Sequence, residues 1–133
     1  MHNFLNQFRG VLGPVAIVML ETRIFNTAGQ FVEGYCGGRW DAQKVGKYYA
    51  VVVPGGGKVH VVSPMNGADC VTDPRSAGLA LTILVVSWTW EMLADRLNES
   101  QFRFFENMRQ SLIDEAYSES NNFDKAAISA IID

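Results

Sequence analysis

The side chains in this chain best suited to chemistry are two cysteines, Cys36 and Cys70, and two histidines, His2 and His60. A nucleophilic cysteine needs a nearby cation or a helix N-terminus to lower its pKa, and a base to take its proton. Cys36 instead sits in "YCGGRW" (35–40), directly after a stretch with helical periodicity. The end of a helix carries partial negative charge, which raises a thiol's pKa. His60 is the only internal histidine, and it lies on an alternating, strand-like run. The pattern describes an inert cysteine, with Cys36–His60 catalysis as the enzymatic alternative. A zinc site needs clustered ligands at short spacing, which these four residues do not provide. "PGGGKVH" (54–60) has the glycines and lysine of a phosphate loop. That motif requires Ser or Thr after the lysine and a helix beyond it. Here Val59 follows Lys58 in a β-branched run, so a hairpin turn is expected. Asp41, Asp114 and Glu115 fall on polar positions and read as solvated carboxylates. No metal, cofactor or catalytic set is expected.

Composition narrows the classes further. With 133 residues, 48% hydrophobic and 19% charged, the chain should fold as one domain over residues 1–133 around one core. The formal net charge of -3 is uneven. Residues 1–90 hold seven Lys/Arg and five Asp/Glu; residues 91–133 hold four and nine. The acidic tail reads as a solvated helical face or as a patch for a basic partner. It falls well short of a DNA mimic, which should approach about one negative charge per 1.7 Å of axis. A pI near 5.3 also argues against a general nucleic-acid binder. Arg39, Lys44, Lys47 and Lys58, expected on neighbouring strands, keep direct nucleic-acid binding as an alternative. No leader is evident, because His2 to Gly10 holds one basic residue and no cleavage site follows an apolar core. Cytoplasmic placement with free thiols is expected. The charge-free run Ala77–Trp90 is 14 residues, short of the roughly 18 that span a bilayer, and reads as a core helix.

Periodicity sets the elements that would position these groups. A short helix should precede Gly10. "GPVAIVML" (13–20) suits strand or helix. Ile24, Phe25, Ala28, Phe31, Val32 and Tyr35 recur at three- and four-residue spacing, which predicts a helix over 21–35 ending at Gly37–Gly38. The period then changes to two. Strands are expected at 39–44, 48–54 and 59–64, joined by tight turns as an antiparallel meander. "MNGADCVTDP" (65–74) reads as a loop. Asp73–Pro74 is an N-cap followed by proline at the first helical position, and a long helix should run to about Leu97. Its apolar surround is expected to narrow later to a stripe at Trp88, Met92, Leu93 and Arg96. Asn98 with Gln101 makes a capping box for the next helix, with Phe102, Phe105, Met108, Leu112 and Ala116 facing inward. A last helix, capped by Asn121 or Asn122, should dock through "AIID". The fold class is α+β: a three- to four-stranded antiparallel meander with about four to five helices.

The order of these segments resembles the ArdB/KlcA antirestriction family. The resemblance rests on "YCGGRW", a strand pair ending at Pro54, "MNG" (65–67), "DPRSAGLA" (73–80) and the closing "AIID" (130–133). It covers about residues 20 to 133, while residues 1–20 match little. The matching positions are Tyr35, Gly37, Gly38, Trp40, Pro54, Asn66, Gly67, Pro74, Ala77, Gly78, Ile132 and Asp133. The family is carried by plasmids, phages and other mobile elements and protects incoming DNA from type I restriction–modification. The resemblance therefore implies a non-catalytic inhibitor of a host DNA-defence protein, with another defence system such as a CRISPR effector as the alternative target. Most matching residues have packing reasons: glycines at a helix end, Trp40 in a core, Pro74 and Gly78 at a helix start. Asn66 and Asp133 lack one, which makes them the candidate partner contacts.

Overall fold

The charge-free run that reads as a core helix lies at the centre of the molecule. The computed structural model describes residues 1–133. The elements in chain order are α1 (His2–Asn6), α2 (Pro14–Phe31), β1 (Asp41–Val45), β2 (Tyr48–Val52), β3 (Val59–Val62), β4 (Asp69–Thr72), α3 (Pro74–Leu93), α4 (Glu99–Ala116) and α5 (Lys125–Ile132). A 3₁₀ turn over Ala94–Arg96 extends α3. α3 packs against β2, α2, α4 and α5. It is apolar on every side, as expected of a helix surrounded by protein. With its 3₁₀ extension it is long and apolar enough to cross a membrane, although Leu79 to Ile83 are all buried within the domain.

α3 starts as its sequence predicts. The Asp73 side chain accepts from the Ser76 amide at 2.8 Å, and Pro74 occupies the first turn. Four residues on, Gly78 lets the helix touch the sheet. A Cβ there would lie 1.9 Å from the Val51 carbonyl oxygen. Two bonds stitch the contact: Val53 N donates to Pro74 O at 3.2 Å, and Val51 N donates to Thr82 Oγ1 at 3.1 Å. The α4 capping box also forms: Gln101 N donates to Asn98 Oδ1, and Asn98 N donates to Gln101 Oε1. Phe105, Met108, Leu112 and Ala116 face the core, while Phe102 is half-exposed against Trp90.

The α+β class and the four antiparallel strands agree with the sequence, but the strands form two separate ladders. β1 pairs with β2 from Asp41–Val52 to Val45–Tyr48; β3 pairs with β4 from Val59–Thr72 to Val62–Asp69. β4 lies inside the segment expected to be a loop. Gly46, at φ +60, supplies the positive φ of a two-residue hairpin turn. The split between ladders means that Lys58 does not share a sheet with Lys44.

Three boundaries moved. α2 begins at Pro14, so "PVAIVML" is helical, and it ends at Phe31. Val32 is extended and bridges Val61, and Glu33 N donates to His60 O, so the β3 edge captures the chain before the helix can reach Tyr35. Gly37 and Gly38 therefore do not end a helix. α5 is capped by Asp124, whose carboxylate accepts from Ala127 N, and neither Asn121 nor Asn122 caps it. In the second half of α3, Met92 is exposed and Leu93 buried.

Candidate functional site

The residues marked by sequence gather in three places. The first is the joint before β1. Trp40 is buried, and its Nε1 donates to the Tyr35 hydroxyl at 3.0 Å, with the rings edge to face. Gly38, at φ +125, presses on Pro54: a Cβ there would come within 2.8 Å of the proline Cβ. Gly37, at φ +97, has open space around it. The second place is the contact of Gly78 with β2 and of Pro74 with Val53 just beyond it, with Ala77 buried between them in the chain. Both are architecture. Cys36 is exposed in the joint, and His60 Nε2 lies 2.6 Å from Asp69 Oδ1.

The third place is at the surface. Asn66 follows β3 in a tight turn in which the Ser63 hydroxyl accepts from the Met65 and Asn66 amides. Gly67 takes φ +76 to close the turn. Asn66 Oδ1 accepts from Ala68 N at 3.0 Å, and its Nδ2 donates to Ala130 O at 2.9 Å. Asn66 thus supplies a donor to the carbonyls at the end of α5, groups that a helix leaves unsatisfied. It has a structural reason that the sequence did not disclose. Asp133 accepts from the Ser129 hydroxyl at 2.8 Å and is otherwise exposed.

Asn66, Ile132 and Asp133 share a cleft of about 250 Å³ with Met65, Leu84 and Trp88. Its floor is apolar, its rim carries an amide and a carboxylate, and Trp88 packs tilted on Phe31. Such a cleft can seat a side chain with an apolar stem and a polar or cationic end. Its walls, Trp88 and Met65, come from a helix and a loop 23 residues apart, so spacing along the chain does not bring them together.

The other thiol is poorly placed for chemistry. Partial burial pushes Cys70 up, and the Asp124 and Asp69 carboxylates add to this. Burial also raises the Asp73 carboxyl, but hydrogen bonds from the Ser76 amide and hydroxyl and from nearby backbone outweigh it, leaving the group below the ordinary carboxylate range.

Fold and cleft together define a small α+β domain with an open surface groove. The chain matches no protein-family model. It is similar to an uncharacterized protein, YfjX, of Escherichia coli strain K12, at 32% identity over 73 residues. The match takes in 53% of this chain and 48% of that protein, so the chain spans about half the length of the curated relative it matches.

Proposed function

We propose that this chain is an antirestriction protein of a mobile element, acting in the host bacterial cell by binding a DNA-defence protein without catalysis. The type I restriction–modification enzyme is the proposed target. One observation carries the reading. Segments whose order resembles the antirestriction family meet in space, and one meeting, Asn66–Gly67 with Ile132–Asp133, opens on a surface cleft. The other two meetings hold the fold, which is how a binding protein keeps a contact surface rigid.

Plating of unmodified phage on a strain with an active type I system tests this. Expression of the chain should raise plating efficiency by orders of magnitude. The Cys36→Ala variant should act as the parent does. Unchanged restriction would remove the reading, and relief abolished by Cys36→Ala would replace it with the enzymatic one. Relief of a CRISPR barrier alone would move the target to that system.

A further inference from the structure

The cleft beside Asn66 adjoins a second cleft at Trp88, the one residue that lines both. The second cleft, of about 560 Å³, lies against α2, with Val18, Met19 and Arg23. Large apolar side chains stand in water in both: Val15 is 81% exposed, Val18 60% and Met65 69%. Scattered exposed apolar residues need no explanation, but exposed ones lining two adjoining clefts that share a tryptophan mark an interaction surface.

The charges of the groove say what fits it. Arg23 donates from Nη2 to the neutral Met92 sulfur at 2.8 Å. Asp133 accepts only from a neutral hydroxyl. Neither takes part in the ion pairs of the fold, Arg103–Glu99 and Lys125–Glu119, or in the His60–Asp69 contact. The α2 half thus offers an unpaired cation and the α5 half an unpaired carboxylate, and between them Trp88 stands among the neutral side chains of Asn26, Thr27, Gln30, Phe31 and Leu84. We infer that this groove is the contact surface of the proposed inhibitor. It takes a protein segment with an apolar side chain for Trp88, a carboxylate for Arg23, and a lysine or arginine for Asp133. The inference rests on the antirestriction reading and specifies the face and the partner chemistry.

A photo-crosslinking residue placed at Val18, at Met65 or, as a control, at the exposed Glu106 on α4 tests it against purified type I restriction–modification complex. The positions at 18 and 65 should crosslink to a subunit of that complex, and the position at 106 should not. Arg23→Glu and Asp133→Lys should each weaken binding about tenfold, since like charges brought together at a contact lose affinity, while thermal melting stays as in the parent. Crosslinks from 106 alone, crosslinks only between copies of this chain, or charge reversals that bind and relieve restriction as the parent does would each overturn the groove and leave the functional reading standing. A parent chain that neither binds the complex nor relieves restriction would overturn both.

Discussion

Gly78→Ala tests the central contact of the fold. In an open helix position, alanine is better than glycine by about 1 kcal/mol. At Gly78 the new methyl would lie 1.9 Å from the Val51 carbonyl oxygen and 2.7 Å from its carbon. Those are backbone atoms, so no side chain can swing away. The helix and β2 must part by about 1 Å before the contact becomes tolerable, in an interior packed as densely as an organic crystal. Overpacking of this kind costs about 1–3 kcal/mol, occasionally more. Parting also stretches the bonds from Val53 N to Pro74 O and from Val51 N to Thr82 Oγ1, each worth about 1 kcal/mol net. Set against the propensity gain, the net loss is about 3 kcal/mol. For a chain of this length that lowers the melting temperature by about 10 °C. The control is Gly29→Ala in α2, where a Cβ meets nothing within 4 Å. It should stabilise by about 0.5–1 kcal/mol. Calorimetry and urea melts of the two variants should move in opposite directions. If Gly78→Ala melts at or above the parent temperature, the direct helix-to-strand contact is wrong.

Other perturbations read separate parts of the structure. Asp73→Ala should cost about 1 kcal/mol at neutral pH through the lost cap. Because the folded carboxyl lies below its unfolded value of about 3.9, its contribution is present above that pH and fades as pH falls through the folded value; urea melts of parent and variant should therefore converge below about pH 4. Thiol labelling at pH 8 should be biphasic, with exposed Cys36 reacting first and Cys70 slowly, and urea should bring the two rates together; equal rates in the folded chain would contradict the placement of Cys70. In a double-mutant cycle, Tyr35→Phe and Trp40→Phe should couple by about 1 kcal/mol, the worth of the hydrogen bond between them, and additive losses would mean the bond contributes nothing to stability.

What sequence disclosed here is mostly local. Asp73–Pro74 and Asn98–Gln101 announce helix starts because an N-cap depends on residues within three positions of one another. The core face of α4 follows from periodicity for the same reason. Long-range pairing was less legible. Tyr35 sits on the helical period of α2, yet α2 stops at Phe31 because the edge of β3 takes Val32 and Glu33. "DCVT" looks like loop beside "MNG", and becomes β4 only because β3 lies alongside it. At the cleft, the polar residues were visible by type, whereas the partner of Asn66, the Ala130 carbonyl, lies 64 residues away.

That bond also bears on how the groove is held. The Thr72 hydroxyl donates to the Asp124 carboxylate at 2.8 Å, Asp124 N donates to the Ser76 hydroxyl at 2.9 Å, and Ser76 donates to Asp73 at 2.8 Å. The N-caps of α3 and α5 are therefore one network, closed through the end of β4. Asn66 fastens the other end of α5. A helix of eight residues is too short to persist alone in water, so α5 depends on this tether at each end and on Ile128 and Ile131 buried between them. Asp133 and Ile132 reach the cleft only while that helix is docked. Loss of the Asp73 cap, though it lies outside the cleft, should thus loosen the carboxylate end of the groove before it unfolds the domain. Hydrogen exchange should detect this as faster exchange in α5 amides than in α4 amides of the Asp73→Ala variant, and equal acceleration in both helices would refute the coupling.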